Sequence, residues 1–126
     1  MNYVLAIRQP VYGSQGAYLA YQLAQALLAE GHQLRQVFFM QDAVSTGNAL
    51  VYPANDEFHL QKAWQKLAAQ HQFPLHLCVA AAQRRGVVNG QSAADGQSHN
   101  LAEGFELAGL GEFSQAVLQA DRVLTL

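Results

Sequence analysis

The chain has 126 residues, of which 51% are hydrophobic and 13% charged, and its formal net charge is −2 at pH 7. This length fits one domain, residues 1–126, and the lack of any basic run excludes binding to a nucleic-acid backbone as the main role. The single cysteine excludes an intrachain disulfide, and no apolar stretch approaches the ~20 residues that cross a bilayer. The N-terminus has no signal-peptide signature, so we expect a soluble, cytoplasmic protein without membrane contact.

The first third of the chain predicts strand, helix, strand. Tyr3–Ile7 is continuously apolar, as is typical of a strand buried on both faces, and a loop over residues 8–15 follows it. Gly16–Glu30 has helical periodicity, and Gly31 stands where a left-handed C-terminal cap belongs. Its predicted inward stripe comprises Leu19, Leu23, Ala26 and Leu27, widened by Ala20, Ala24 and Leu28. Leu34–Met40 is the second predicted strand.

The segment from residue 41 to residue 58 leaves two interpretations open. Asp42 is positioned to cap a short helix over Ala43–Thr46. The glycine, asparagine and proline that follow favour a long connection instead. Asn55 or Asp56 then caps an amphipathic helix from about Phe58 to His71. The inward face of that helix comprises Leu60, Ala63, Trp64, Leu67 and Ala68.

The second half predicts three more strands with helical segments and a polar loop between them. In order these are a strand (Leu75–Val79), a helical turn (Ala80–Arg85), a surface loop (86–100), a short strand (Phe105–Leu107), a helix (Leu110–Ala120) and a last strand (Arg122–Leu126). The residues of the helix Leu110–Ala120 that should face inward are Phe113, Ala116, Val117 and Ala120. Strands that alternate with crossovers of ten or more residues predict an α/β domain. We expect an open, mostly parallel sheet with helices on both faces, in flavodoxin-like layering.

Several kinds of site are not supported by any motif. The first strand-to-helix loop has Gly13 and Gly16 but neither G-x-G-x-x-G nor a P-loop lysine, so an ordinary turn is favoured over an anion-binding turn. The five histidines lack zinc-ligand spacing, and His76 alternates with leucines in a strand, as a core or interface histidine would. No G-x-S-x-G element is present. We therefore expect no metal, no cofactor and no hydrolase chemistry.

Cys78 is the candidate reactive residue. It lies near the C-terminal end of the third predicted strand, where open α/β sheets carry their reactive groups. The helical turn that follows would favour a thiolate through its free N–H groups, and Arg84 and Arg85 would add positive potential. The alternative is a buried, inert cysteine, which is common in strands.

Several segments resemble the DsrE/TusD family. They are Pro10–Gln15, Pro53–Phe58, Leu77–Val88, Gly104–Gly111 and Asp121–Val123. The resemblance extends over essentially the whole chain, is strongest to the TusD branch, and is most specific in the segment around the cysteine. One departure is Asn89, which stands where many relatives carry aspartate.

The resemblance implies a sulfurtransferase in a persulfide relay. Cys78 would accept sulfur from a TusA-like donor and pass it to a TusE-like acceptor, in the 2-thiolation of the tRNA wobble uridine. TusB-like and TusC-like sister subunits would complete a heterohexamer, in which the low charge would be explained by buried interfaces. A lone cysteine suits this chemistry, because the resolving thiols belong to the partners. The loops 8–16 and 86–100 would flank the sulfur.

Two alternatives to this sulfurtransferase interpretation remain open. One is a DsrE-type sulfur carrier in sulfur oxidation. The other is a non-catalytic subunit of a related hetero-oligomer, in which Cys78 is an inert core residue. In each case we expect no direct contact with nucleic acid, because the chain has no basic surface.

Overall fold

The computed structural model describes all 126 residues and contains one five-stranded, fully parallel sheet. The strands are β1 (Asn2–Ile7), β2 (Gln33–Phe39), β3 (Leu75–Cys78), β4 (Phe105–Ala108) and β5 (Arg122–Thr125), in the spatial order β4-β3-β2-β1-β5. The helices are α1 (Gly16–Ala29), α2 (Leu60–His71), α3 (Val79–Arg84) and α4 (Leu110–Gln119). A 3-10 helix, Gln41–Gly47, follows β2. The predicted α/β class and parallel sheet are confirmed.

Helices cover both faces of the sheet, as predicted. Phe39 of β2 packs on Trp64 of α2, with ring centroids 5.6 Å apart, whereas its neighbour Phe38 packs on Phe113 of α4 at 4.6 Å. Adjacent residues of a strand point to opposite faces, so α2 and α4 lie on opposite sides. Right-handed crossovers explain this arrangement. From β1 to β4 the chain moves across the sheet in one direction, whereas the α4 connection returns from β4 to β5 in the other, so its helix lies on the other face.

The main core lies on the α1 and α2 side. Trp64 is fully buried there, against Tyr21 of α1 and Phe39. The residues that α1 buries are Ala17, Ala20, Tyr21 and Ala24. The predicted inward position of Leu19 is wrong, since its side chain is 52% exposed. A stripe of small residues brings the helix axis nearer to the sheet than leucines would, so α1 turns its alanines inward.

The opposite face has a thinner cover. No residue of α4 is fully buried, and the four positions predicted to face inward are half-buried. Leu118 and Leu110 on the same helix are 84% and 63% exposed. One helix therefore covers this side of the sheet incompletely. None of the helices has the length and apolar character needed to cross a membrane.

The region between β2 and α2 combines the two open interpretations, since a short helix is followed by a long connection. Asp42 does not cap the 3-10 helix, whose N-cap is Met40, but lies in its first turn. The predicted caps of α2 are also wrong. A separate turn closes before the helix, with Glu57 N–H donating to Ala54 C=O at 3.0 Å. The α2 helix then begins at Leu60, and His59 Nδ1 accepts from a first-turn N–H.

Candidate functional site

Cys78 is the last residue of β3, at the C-terminal edge of the sheet. Its side chain is half-buried, and it pairs in register with Ala108 of β4. The chain turns directly into α3 at Val79, so the predicted helical turn after the cysteine is confirmed. Two residues of that turn, Ala81 and Ala82, are buried and fix its orientation against the core. The thiol is therefore held on a short strand-to-helix junction.

The 3-10 helix braces this junction from the side. It packs against both α3 and β3. At its end Gly47 lies so close to Leu77 that a Cβ on the glycine would stand 2.4 Å from Leu77 Cδ1. Leu77 immediately precedes Cys78 and is fully buried. A side chain at position 47 would therefore press against the residue that precedes the cysteine.

The two arginines after the cysteine differ in their surroundings. Arg85 Nε lies 2.9 Å from Asp42 Oδ1, and Arg85 Nη1 donates to Ala81 C=O at 3.1 Å. Asp42 belongs to the 3-10 helix, so this ion pair ties the end of α3 to that helix. Arg84 is exposed and has no hydrogen-bond or ion-pair partner within the chain. Of the two guanidinium groups, only that of Arg85 is therefore held within the chain.

The loop after α3 is anchored next to the cysteine segment. Val87 N–H donates to Ala82 C=O at 2.9 Å, and Ala102 N–H donates to Gly47 C=O at 2.8 Å. Asn100 Nδ2 donates to Gly86 C=O at 2.8 Å. These bonds hold residues 86–102 against both α3 and the 3-10 helix.

The β1–α1 loop meets the 3-10 helix from the other side. Val11 N–H donates to Ser45 Oγ at 3.0 Å. Gly13 has a positive φ of 96°, which glycine adopts without strain, and Gly16 is approached closely by the Gln9 side chain. The loop is thus an ordinary turn that leads into α1. Partial loss of hydration, followed by the charge of the Glu57 carboxylate, raises the pKa of Tyr12 in this loop.

His76 is one of the residues on the side of the sheet that faces α4. Its ring is half-buried, and Gln36 Nε2 donates to His76 Nδ1 at 2.7 Å. This satisfied, partly buried histidine agrees with the predicted core or interface role. No three His, Cys, Asp or Glu side chains converge on a common point that could hold a metal ion.

Sequence patterns did not reveal the surroundings of the thiol. Asp42 and Arg85 are 43 residues apart, and no periodicity links them. In the sequence Gly47 indicates only a break in secondary structure, whereas in the structure its φ is not positive and its position is fixed by packing. No local sequence pattern distinguishes Gly47 from an ordinary turn glycine.

Comparison with known proteins agrees with this geometry. The DsrE/DsrF-like family model matches residues 1–126. The chain is 62% identical to a "Sulfurtransferase TusD homolog" of Pasteurella multocida and 59% identical to one of Haemophilus influenzae, with 100% of each chain covered. It is 50% identical to "Sulfurtransferase TusD" of Photorhabdus laumondii, covering 98% of this chain and 96% of the relative.

A solved structure has a similar fold. The crystal structure of the ychN protein from E. coli superposes with a TM-score of 0.78 at 26% identity, with 100% of both chains covered. Full-length relatives at 50–62% identity bear the name sulfurtransferase, which supports sulfur transfer as the chemistry of this chain. The chain therefore belongs to the DsrE/DsrF-like family.

Proposed function

We propose that this protein carries sulfur as a persulfide on Cys78, receiving it from a TusA-like donor and passing it to a TusE-like acceptor. The final product of this relay is the 2-thiouridine at the wobble position of tRNA. The observation that carries the proposal is the position of the only thiol of the chain. It lies half-buried at the C-terminal edge of a parallel sheet, where such folds place reactive groups, in a chain whose full-length relatives are named sulfurtransferases.

The transfer step is an exchange between thiolates. The Cys78 thiolate attacks the outer sulfur of the donor persulfide, forming a new S–S bond as the donor S–S bond breaks. The donor leaves as a thiolate, and the transferred sulfur keeps its proton, so charge and electrons balance without an external oxidant. The acceptor thiolate then attacks the outer sulfur on Cys78 in the same way. A single cysteine is sufficient for both steps.

The partners of the relay include permanent sister subunits in this proposal. TusB-like and TusC-like chains complete a heterohexamer and cover the side of the sheet where α4 leaves apolar side chains exposed. Leu118, Leu110 and Val123 are 84%, 63% and 38% exposed there. Apolar surface of this kind is typical of obligate interfaces. The sulfur reaches tRNA through the acceptor, because this chain has 7 Lys and Arg against 9 Asp and Glu.

A mass measurement tests the sulfur step. The chain, purified with its sister subunits, is incubated with the persulfidated donor protein, and each subunit is weighed intact. We expect this chain to gain about 32 Da, the mass of one sulfur atom, and to lose it on treatment with a reducing thiol. The matched control is the Cys78→Ser complex. A similar gain on this chain in that variant would contradict the proposal.

A measurement in cells tests the product. A strain that lacks this chain is complemented with the wild type or with Cys78→Ala, and tRNA nucleosides are analysed by mass spectrometry. We expect 2-thiouridine at the wobble position to return only with the wild type. Normal thiolation with Cys78→Ala would show a non-catalytic subunit. If the wild type transfers sulfur in vitro but does not restore thiolation in cells, the result would instead indicate a role in sulfur oxidation.

A further inference from the structure

Asn89 is the only asparagine of the chain that precedes a glycine. The other four asparagines precede residues with side chains. The difference is chemical, because the backbone nitrogen that follows an asparagine can attack the side-chain carbonyl carbon and release the amide nitrogen as ammonia. Glycine favours this attack, since it has no Cβ to obstruct the approach and its backbone is the least restricted. The pair Asn89–Gly90 is therefore the place in the chain where the geometry of this reaction matters most.

The attacking group, the backbone nitrogen of Gly90, is free and accessible. Gly90 is exposed in the loop that follows α3, and its N–H donates no hydrogen bond within the chain. The neighbouring N–H groups behave differently, because those of Ser92 and Ala93 both donate to Asn89 C=O, at 3.1 Å and 2.9 Å. The turn therefore engages the N–H groups on its far side and leaves the reacting nitrogen unbonded.

The attacked carbonyl group is oriented by the same turn. Asn89 Oδ1 accepts hydrogen bonds from Gln91 N–H and from Ser92 N–H, both at 3.0 Å. As the nitrogen of Gly90 adds to Asn89 Cγ, negative charge develops on Oδ1, and donors already aimed at that oxygen stabilise it. Asn89 Nδ2, the atom that leaves, has no hydrogen bond within the chain. The carbonyl oxygen is thus polarised, whereas the leaving group is unrestrained.

We propose that Asn89 is a site of spontaneous deamidation. In the first step the nitrogen of Gly90 bonds to Asn89 Cγ and gives up its proton, the Cγ–Nδ2 bond breaks, and ammonia leaves a five-membered succinimide ring. In the second step water opens the ring at Cγ, which yields aspartate, or at the backbone carbonyl carbon, which yields isoaspartate. Neither step needs an oxidant or a reductant. The inference is independent of the proposed function of Cys78.

The two products have different effects on the loop. Aspartate keeps the accepting oxygen and adds a negative charge, so both hydrogen bonds to that atom become charge-assisted. Isoaspartate carries the chain through Cβ, so one additional atom lies in the backbone beside Val88. That residue is bonded across the loop, since Val88 N–H donates to Asn100 Oδ1 at 2.8 Å and Asn100 N–H donates to Val88 C=O at 3.0 Å. We therefore expect isoaspartate to loosen the loop next to α3 and aspartate to preserve it.

Incubation of the full chain at mildly alkaline pH tests the proposal. Peptide mapping by mass spectrometry follows the replacement of NH2 by OH, and ion exchange follows the intact chain, because the product has one more negative charge than the formal −2 of the chain. We expect Asn89 to react about tenfold faster than any other asparagine of the chain, since only its following residue lacks a side chain. A synthetic peptide of residues 86–95 gives the rate without the fold.

Two substitutions are matched controls. Gly90→Ala adds a Cβ beside the attacking nitrogen, and the loop has room for it, since the nearest atom it would meet is the Gly96 carbonyl oxygen at 3.7 Å and the φ of Gly90 is not positive. Deamidation of Asn89 should be about tenfold slower in this variant, although the fold is retained. Asn89→Asp supplies the aspartate product as a reference, and it should unfold at a urea concentration no lower than the wild type.

Three results would overturn the proposal. The first is an unmodified Asn89 in the folded chain after the peptide has reacted completely, which would show that the turn protects the side chain. The second is an equal rate of modification in Gly90→Ala, which would exclude attack by that backbone nitrogen. The third is faster modification at another asparagine of the chain, which would show that the surroundings of Asn89 confer no preference.

Discussion

The contact between Gly47 and Leu77 leads to the sharpest stability prediction, for the substitution Gly47→Ala. The added Cβ would stand 2.4 Å from Leu77 Cδ1 and 3.1 Å from both Cγ and Cδ2. Leu77 is 0% exposed, so its side chain is surrounded by the core and can give way only by displacing neighbours. The backbone of Gly47 has no positive φ, so the whole effect comes from packing.

The magnitude follows from two opposing effects. Overpacking of a filled core costs about 1–3 kcal/mol. Replacement of glycine by alanine restricts the unfolded chain and returns about 0.4–1 kcal/mol. We expect the free energy of unfolding to fall by about 1–2 kcal/mol. With a slope of about 2 kcal/mol per molar urea, the midpoint of unfolding falls by about 0.5–1 M at an unchanged slope.

Urea unfolding followed by the fluorescence of Trp64 measures this change. Gly111→Ala is the matched control, because that glycine lies on exposed α4 with nothing within 4 Å of an added Cβ. The control should be stabilised by about 0.4–1 kcal/mol. Leu77→Ala removes the side chain that the added Cβ would meet. The two substitutions together should therefore lower the free energy of unfolding by less than the sum of their separate effects. Wild-type stability of Gly47→Ala, or strict additivity in the double variant, would refute the steric reasoning.

Two further predictions concern charged side chains. The exposed pair between Asp42 and Arg85 should contribute less than about 1 kcal/mol, so that Asp42→Asn and Arg85→Gln shift the urea midpoint little and a double-mutant cycle gives a small coupling energy. A coupling energy well above that value would contradict an exposed pair. Hydrogen bonds from the Ser98 hydroxyl and from the backbone N–H groups of Ser98 and Gln97 lower the pKa of Asp95 from 3.8 to about 2. Because the folded-state pKa is depressed, this stabilisation is present above pH 3.8 and is lost as the pH falls towards 2. A carboxyl titration followed by NMR should give a midpoint near 2, raised towards 3.8 in Ser98→Ala; the same midpoint in both would contradict this cause.

The sequence predicts this fold well wherever a segment carries its own signal. The apolar run of β1 and the apolar residues of β2 and β3 identify these segments as strands, and the clear polar face of α2 identifies its inward side. In α1 the pattern is less informative, because leucines and alanines surround most of the helix. Periodicity alone then suggests the leucines as the inward side, whereas the close approach of helix to sheet selects Ala17, Ala20 and Ala24.

The candidate site is likewise only partly predictable from the sequence. The position of Cys78 follows from local sequence, because a strand, a cysteine and a helical turn succeed one another within a dozen residues. Its surroundings do not, because the residues that brace it come from the 3-10 helix some 30 residues earlier in the chain. Contacts of that kind arise from strand order, and strand order depends on which apolar faces pack together rather than on any local pattern.

The low charge of the chain has a structural counterpart in two separate apolar surfaces. One comprises the exposed aromatic side chains of Tyr12, Tyr18, Tyr52 and Phe58, and the other is the exposed side of α4, on the opposite face of the sheet. In the proposed relay, permanent subunits would have to leave the thiol edge uncovered, so that the donor and the acceptor can both reach Cys78. Cys78 lies at the sheet edge between these two faces, where it can stay accessible while α4 is covered. Its half-buried thiol is consistent with a group that must be reached from outside and yet held in a fixed direction.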